Sequence, residues 1–252
     1  IIRLSGAPPL PPREGEALVI NCDTRRRPHE EAVAIFSSLL ESFPADTKIA
    51  KRIDTTLRGH LGIETEAILK ARPDATAMVV PAYPSSGRTT VGGYHLLNGS
   101  LLERTEVARD PLWPISTSFV PSYFKGLSVA RIPMENIQKG HDEVAWELER
   151  LVFEGARVVV ADAMTDNDIE ILASAAFAVE ERIIPVDPGP FSAALLSRYL
   201  ARGAPGAVVA VIGSTSEKTR KQLAWLEGKI PTKEFAFSPS ETPEEAASRL
   251  RG

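Results

Sequence analysis

The sequence RVVVADAMTDNDIEILASAAFAVEERIIPV, residues 157–186, places a possible helix between two apolar runs. The runs at residues 157–161 and 183–186 are short and rich in Val and Ile, as strands are. Residues 166–180 between them are long enough for a helix of several turns. A strand, a helix and a second strand in this order form a βαβ unit, whose two strands are parallel.

The same alternation continues on both sides of this unit. Further strands are predicted at residues 17–21, 48–53, 75–80, 128–132 and 207–212, and helices at residues 28–42, 60–71, 141–154, 191–201 and 216–228. Repeated βαβ units predict an α/β fold in three layers, with a parallel sheet between helices. A Gly/Ala/Pro-rich link at residues 202–206 predicts a boundary between residues 1–205 and residues 206–252.

The composition and charge of the chain exclude some classes of function. The chain has 29 Lys and Arg against 33 Asp and Glu, a net charge of -4, which argues against a general nucleic-acid binder. Its single cysteine, Cys22, fits a reducing cytoplasm, and no apolar run is long enough to cross a bilayer. We expect a cytoplasmic protein with a small-molecule partner and without nucleic-acid or membrane partners. Because the chain begins with Ile1 and its first methionine is Met78, we also expect it to be part of a longer protein.

Polar or Gly-rich segments follow four of the predicted strands. In a parallel α/β sheet, ligands bind beyond the carboxyl ends of the strands. The segments in that position are residues 54–59, 82–93, 187–190 and 213–219. These segments are therefore the candidates for a binding site.

The first candidate lies in residues 51–59, KRIDTTLRG, where a strand leads into a helix. Its cations and hydroxyls, together with the free amides of a helix start, suit an anion. Arg58 can grip a carboxylate with two parallel hydrogen bonds, and Asp54 can orient a substrate hydroxyl or act as its base. The alternative is structural: Asp54 or Thr55 caps the helix, and Arg58 pairs with Glu64 on the surface.

The second candidate is residues 81–90, PAYPSSGRTT. Gly87 allows a ligand to approach the backbone closely, and Arg88 can share an anion with Arg58. The alternative is a polar surface loop. The Asn-Gly pair at residues 98–99 lies between two apolar stretches and predicts a hairpin.

The third candidate, residues 213–219 with the sequence GSTSEKT, follows a strand and precedes a helix. Hydroxyls and backbone amides at such a place suit a phosphate. Ser216 and Thr219 are also ordinary helix-start residues, which is the alternative interpretation. The chain has neither a Walker A motif nor a G-x-G-x-x-G dinucleotide fingerprint.

The remaining polar motifs are interpreted as structural. Residues 187–190, DPGP, predict a rigid turn, and residues 25–27, RRR, predict a solvated surface run. No metal site is predicted, because metal-ligand spacing is absent from the four histidines, His29, His60, His95 and His141.

Together, these motifs resemble those of the four-carbon acid sugar kinase family. Residues 52–59 with Glu64 are similar to its K-x-D-S-T-L-R-G…E signature, and residues 81–88 are similar to its P-A-[FY]-P…G-R segment. Further similarity follows in the family's order at residues 92–110, 186–189 and 213–222. The chain departs from the family in Arg52, where Lys is usual, and in Thr55, where Ser is usual. An Asp-Asp-Leu-Thr-Gly loop and Gly-rich nucleotide loops are also absent from the sequence.

The resemblance implies an ATP-dependent kinase that phosphorylates a hydroxyl of a four-carbon sugar acid, such as threonate or erythronate, with ATP and Mg²⁺ as cofactors. It implies a sugar-acid-binding domain at residues 1–205 and the beginning of a nucleotide-binding domain at residues 206–252. Asp54, or an Asp of the absent loop, is implied to position or deprotonate the acceptor hydroxyl. The implied substrate-binding residues are Asp54, Thr55, Arg58, Gly87 and Arg88. The implied nucleotide-binding residues are Gly213, Ser214 and Ser216.

Two other functions stay open from the sequence. A NAD-dependent α/β oxidoreductase would use the same fold class, although the dinucleotide fingerprint is absent. A non-catalytic sugar-acid-binding protein would need only the substrate domain. We also consider a homodimer, for which the sequence holds no specific signal.

Overall fold

The computed structural model describes residues 2–3, 17–179, 183–201 and 208–211. Its strands are β1 (Ile2–Arg3), β2 (Ala17–Asn21), β3 (Lys48–Arg52), β4 (Thr76–Val79), β5 (Arg88–Val91), β6 (Tyr94–Leu97), β7 (Ser100–Leu101), β8 (Val129–Ile132), β9 (Val158–Ala161), β10 (Ile183–Asp187) and β11 (Val208–Val211). Eight of them form one sheet in the order β1-β2-β11-β3-β10-β4-β9-β8. Every neighbouring pair in this sheet is parallel.

The central strands of this sheet are apolar on both faces. Every residue of β4, β9 and β10 is buried. Parallel strands that are covered on both sides lose the alternation of polar and apolar residues, which is why these strands are nearly continuous runs of Val, Ile and Ala. A layer of helices is therefore needed on each face of the sheet.

The helices are α1 (His29–Glu41), α2 (Leu61–Ala71), α3 (Met134–Ile137), α4 (His141–Phe153), α5 (Asp166–Val179) and α6 (Pro190–Ala201). Helices α1 and α2 share one core with β2 and β3, whereas α4, α5 and α6 share another with β4 and β9. Met78 of β4 packs in the core with α4, α5 and α6, whereas its neighbour Val79 packs in a third core that contains Leu61 and Leu69 of α2, so the two cores lie on opposite faces of the sheet. The predicted three-layer α/β fold is confirmed. Among these helices, none has the length and apolarity needed to cross a bilayer.

The last described strand corrects the predicted domain boundary. β11 pairs with β2 on one side and with β3 on the other, so it lies inside the large sheet. The sequence prediction assigned residues 206–252 to a second domain, and for residues 208–211 this is wrong, because they complete the sheet of the first. That residues 212–252 begin a second domain stays a prediction, because they lie outside the described residues.

Between β4 and β8, the chain forms a small antiparallel sheet of β5, β6 and β7. β6 and β7 are joined by Asn98 and Gly99, whose φ angles are 50° and 77°. Positive φ at both central residues is typical of a type I′ turn, so the predicted hairpin is confirmed. Main-chain hydrogen bonds of 2.8 and 2.9 Å between Thr90 and Ala163 attach this small sheet to the end of β9.

Gly62 brings the start of α2 against the main chain of Tyr123. A Cβ atom at residue 62 would lie 1.9 Å from the carbonyl oxygen of Tyr123. Replacing Gly by Ala in a helix normally raises stability by up to about 1 kcal/mol. We expect Gly62→Ala instead to lower the free energy of unfolding by about 1–3 kcal/mol, because main chain must move to admit the methyl group. Urea unfolding followed by circular dichroism measures this difference.

Lys70→Ala, at the exposed end of the same helix, is the control for this experiment. We expect it to change the free energy of unfolding by less than about 0.5 kcal/mol. A Gly62→Ala protein as stable as the wild type would contradict the close contact between α2 and Tyr123.

Candidate functional site

Residues 54–59, the site loop, connect β3 to α2. A turn begins at Asp54, whose carbonyl oxygen accepts a hydrogen bond from the amide of Leu57 at 3.1 Å. The Asp54 carboxylate accepts from the amide and the hydroxyl of Thr56 at 3.0 and 2.6 Å. An Asp side chain that binds the backbone two residues further on is a common way to form a turn. The turn places the loop at the carboxyl edge of the sheet, where ligand sites lie.

Leu57 holds the site loop in an unusual backbone conformation. Its φ angle is 63°, in the left-handed region that residues other than glycine rarely adopt. The conformation costs about 1–2 kcal/mol. The Leu57 side chain is fully buried in the apolar core that contains Ile53 and Val79, and this burial offsets the cost. Strained residues of this kind concentrate at functional sites, where the surrounding structure holds them.

The carboxylate of Asp54 is the centre of the site. Arg58 donates to it through Nε at 3.0 Å and Nη2 at 3.2 Å, and Arg25 donates through Nη2 at 2.7 Å. With the two bonds from Thr56, Asp54 accepts five hydrogen bonds. Burial alone would raise the pKa of Asp54, but the bond from Arg58, the charge of Arg25 and the bond from Thr56 hold this pKa below its usual value.

This geometry does not support the predicted role of Asp54 as a general base. A base that works near neutral pH needs a pKa close to that pH and a lone pair directed at the substrate. A carboxylate offers about four acceptor positions, and the five hydrogen bonds to Asp54 use them. The arrangement instead suits Asp54 to hold Arg25 and Arg58 in place.

Asp110 holds Arg58 from a second direction. Nη1 of Arg58 donates to Oδ2 of Asp110 at 2.7 Å. The other carboxylate oxygen of Asp110 accepts from the amides of Leu112 and Trp113 at 3.0 and 2.8 Å. The hydrogen bond from Arg58 and those two amides lower the pKa of Asp110. The alternative prediction, a surface pair between Arg58 and Glu64, is wrong.

Glu64 belongs to a buried ion pair behind the site loop. Nζ of Lys51 lies 2.5 Å from Oε2 of Glu64, and both side chains are 6% exposed. Oγ1 of Thr24 donates to Oε1 of Glu64 at 2.5 Å, and Lys51 also donates to the carbonyl oxygen of Arg52 at 3.0 Å. These bonds connect the loop that follows β2 with strand β3 and helix α2. The bonded side chains form one wall of the site.

Arg25 reaches the site from the loop that follows β2. The sequence predicted a solvated run at residues 25–27, and this is wrong for Arg25, whose guanidinium contacts Asp54. Arg26 and Arg27 are exposed as predicted. The contact between Arg25 and Asp54 depends on how β2 and β3 are placed in the sheet, so no local pattern in the sequence could have revealed it.

These side chains surround one pocket at the carboxyl edge of the sheet. Its lining has four cationic and two acidic residues, and a third carboxylate, that of Asp110, pairs with Arg58 from outside the lining. The remaining excess of positive charge favours an anionic ligand. The lining residues are Thr24, Arg25, Lys51, Arg52, Ile53, Asp54, Leu57, Arg58, Gly59, His60, Leu61 and Glu64.

The second predicted segment does not line this pocket. Arg88 donates through Nη1 to the carbonyl oxygen of Ser86. Its Nε atom is buried without a hydrogen-bond partner among the described residues. Gly87 has a φ angle of 77°, and a Cβ atom there would lie 2.1 Å from Oδ1 of Asn98, so the hairpin itself requires the glycine. The sequence predicts that Arg88 shares an anion with Arg58, but Arg88 does not line the pocket that Arg58 lines.

Thr55 also lies outside the pocket lining. Its carbonyl oxygen is 3.1 Å from Nε2 of His95, whose Nδ1 atom is 3.0 Å from Oγ1 of Thr90. No local sequence pattern marks His95, because its partners become neighbours only when the small sheet packs on the site loop.

Asp187 has the structural role that its motif predicted. Its Oδ2 atom accepts hydrogen bonds from the amides of Gly189, Phe191 and Ser192 at 2.7, 2.8 and 3.2 Å. These bonds cap the start of α6. Burial raises the pKa of Asp187, although Ser192 and the charge of Arg52 act in the opposite direction.

The third predicted segment cannot be placed, since Gly213, Ser214 and Ser216 lie outside the described residues. Within the described ranges, no group of three or more His, Cys, Asp or Glu is arranged to hold a metal ion. The described part of the chain thus contains one pocket with an excess of cationic side chains, and no described residue is assigned to a nucleotide or a metal.

Known proteins share this chain's sequence pattern. A family model described as "Sugar-binding N-terminal domain" matches residues 6–195. The chain belongs to this family. It is 40% identical over 189 residues to a protein of Heliobacterium modesticaldum named D-erythronate kinase, an alignment that covers 72% of this chain and 43% of the relative. It is 31% identical over 221 residues to a protein of Salmonella typhimurium named D-threonate kinase, which covers 84% of this chain and 52% of the relative.

A crystal structure from Bordetella bronchiseptica has the fold of this sugar-binding domain. It is described as a domain of unknown function with bound citrate and as a domain-swapped dimer. The two structures align with a TM-score of 0.61 and 31% identity, over 81% of this chain and 50% of that chain. The resemblance to the four-carbon acid sugar kinase family is confirmed. The chain spans about half the length of the curated relatives it matches.

The buried pair of Lys51 and Glu64 gives a prediction about the stability of this sugar-binding domain. We expect Glu64→Ala to lower the free energy of unfolding by about 3–5 kcal/mol, because it leaves an unpaired charge in the interior. The double variant Lys51→Met with Glu64→Leu should recover most of that loss, because no buried charge remains. Urea unfolding of the wild type, Glu64→Ala, Lys51→Met, Glu64→Leu and the double variant measures the loss and the coupling between the two side chains. A double variant no more stable than Glu64→Ala would contradict the pairing.

Proposed function

We propose that this chain is the sugar-acid-binding part of an ATP-dependent kinase, which phosphorylates a hydroxyl of a four-carbon sugar acid such as erythronate or threonate. The observation that carries the proposal is the pocket at the carboxyl edge of the sheet, where four cationic side chains face two carboxylates. The family description supports the sugar-binding role, and the names of the two curated relatives support the reaction.

The carboxylate of the sugar acid is the group that this pocket is suited to attract. Among the described residues, Arg58 donates to both Asp54 and Asp110, whereas Arg25 donates to Asp54 through Nη2 alone. Since a guanidinium has five N–H groups, Arg25 has more donors left for a ligand than Arg58 has. We therefore assign the first contact with the substrate carboxylate to Arg25 and the second to Arg58. The citrate bound in the crystal structure of the Bordetella relative is consistent with a family whose members bind carboxylates.

These residues contribute to catalysis by positioning. A carboxylate held by Arg25 and Arg58 fixes one end of the four-carbon chain, and this end determines where each hydroxyl lies. Asp54 keeps the two guanidinium groups together, because their mutual repulsion is offset by the anion between them. The predicted substrate contacts of Thr55 and residues 87–88 are not part of this assignment, because these residues do not line the pocket.

ATP supplies the phosphoryl group in this proposal, and Mg²⁺ accompanies it. The residues predicted to hold ATP, at positions 213, 214 and 216, lie outside the described part of the chain. No cluster of acidic or metal-ligating side chains in the described ranges fits a metal ion, so we assign no residue there to Mg²⁺. A homodimer and a cytoplasmic location also belong to the proposal, and the Bordetella relative is described as a domain-swapped dimer.

The two alternative functions differ in their support. Both curated relatives are named kinases, so nothing in the comparisons favours a NAD-dependent oxidoreductase. A sugar-acid-binding protein without turnover would use the same pocket. Only the activity of the whole protein separates it from the kinase.

We predict that the full-length protein releases ADP from ATP in the presence of Mg²⁺ and either D-erythronate or D-threonate. A coupled spectrophotometric assay measures the release, and calorimetry measures binding of each acid. Binding without ADP release would favour the non-catalytic alternative. The proposed function would be overturned if the protein bound neither acid and released no ADP with either of them.

Arg25→Ala and Arg58→Ala test the assignment of the pocket. We expect each to raise KM for the acid by more than about tenfold, which corresponds to ~1.4 kcal/mol of lost binding. Arg26→Ala is the matched control, because Arg26 belongs to the same run of arginines but is exposed and outside the lining. Circular dichroism spectra of the variants show whether they fold. A KM for Arg25→Ala equal to that of Arg26→Ala would remove Arg25 from the substrate contacts.

A further inference from the structure

His95 links the small antiparallel sheet to the site loop. It lies in β6, and both His95 and Thr90 are fully buried. Its Nε2 atom is 3.1 Å from the carbonyl oxygen of Thr55, and its Nδ1 atom is 3.0 Å from Oγ1 of Thr90. Because His95 does not line the pocket, a direct contact with the substrate does not account for these bonds.

The carbonyl oxygen of Thr55 determines which ring nitrogen of His95 carries a proton. A carbonyl oxygen can only accept, so Nε2 carries the hydrogen and donates it to Thr55. In the neutral ring, Nδ1 then accepts a hydrogen bond from the hydroxyl of Thr90. Complete burial lowers the pKa of His95 to about 4, although the hydrogen bond to Thr55 acts in the opposite direction. The imidazole is therefore a neutral donor with a fixed orientation at neutral pH.

The bond to Thr55 acts on the same peptide group that holds Asp54. One planar peptide group contains the carbonyl of Thr55 and the amide of Thr56. His95 binds the carbonyl end of this group, and Oδ2 of Asp54 binds its N–H end at 3.0 Å. Because the group is planar, a rotation that releases the carbonyl from His95 also turns the N–H away from Asp54.

We infer that His95 is a positioning residue of the anion pocket. It fixes the peptide group between residues 55 and 56, and this group fixes the carboxylate of Asp54. Because Asp54 holds Arg25 and Arg58, His95 orients two guanidinium groups through Asp54. The effect on substrate binding rests on the proposed function, whereas the effect on the site loop does not depend on it.

Three variants of the full-length protein test this inference. His95→Phe keeps an aromatic ring and removes both hydrogen bonds. His95→Gln restores a donor, because the side-chain amide nitrogen of Gln can take the place of Nε2. Leu148→Ala removes a fully buried side chain from the core on the opposite face of the sheet and controls for a general loss of stability.

Hydrogen–deuterium exchange of the Thr56 amide tests the loop without any need for activity. We expect His95→Phe to speed this exchange by about tenfold or more, because the amide loses its fixed partner Asp54. His95→Gln should exchange at close to the wild-type rate, and Leu148→Ala should not act selectively on Thr56. Mass spectrometry with residue-level fragmentation measures the rates. An unchanged rate in His95→Phe overturns the inference, whatever the substrate is.

Steady-state kinetics test the effect on the pocket. We expect His95→Phe to raise KM for D-erythronate or D-threonate by at least about tenfold and to leave KM for ATP within about twofold. His95→Gln should recover most of the loss, and Leu148→Ala should lower Tm with KM unchanged. An unchanged KM in His95→Phe would overturn the claim that His95 positions the arginines of the pocket. If the wild type turns over neither acid, the proposed function fails, and the exchange of Thr56 still decides the role of His95.

Discussion

The carboxylate of Asp54 is the interaction on which the rest of the site depends. It gathers two arginines that come from different loops, and it lies at the turn that begins the site loop. A buried carboxylate is costly unless it is paired and hydrogen-bonded, and Asp54 is both. Although burial acts to raise the pKa of Asp54, the bond from Arg58 and the charge of Arg25 hold this pKa below its usual value. Without this anion, Arg25 and Arg58 would repel each other at the distance that a shared ligand requires.

The parallel sheet explains how such a site can form from separate parts of the chain. β2, β3 and β10 all end at the same edge, because parallel strands point in one direction. The loop after β2 supplies Arg25, and the loop after β3 supplies Asp54 and Arg58. The buried pair of Lys51 and Glu64 fixes the base of the site loop against α2. The fold thus brings the turns after β2 and β3 together in one pocket.

The strands and helices could be predicted from the sequence because burial on one or both faces leaves a local periodic pattern. The loop with Asp54 and Arg58 was found for a similar reason, since it follows a strand and precedes a helix. The place of β11 could not be found, because strand order in a parallel sheet depends on pairing between distant segments. Arg25 and His95 were missed for the same physical reason: each contacts the site loop through the tertiary fold, and nothing in its immediate neighbours marks it.

The strand β11 lies between the two strands that lead into the loops with Arg25 and Arg58. Val211 pairs with Ile20 of β2 and Lys51 of β3, which are the strands that lead into the two arginine-bearing loops. Val211, the last described residue, therefore lies beside a residue of the pocket lining. A change in β11 would then alter substrate binding and fold stability together, because the same two strand pairings determine both.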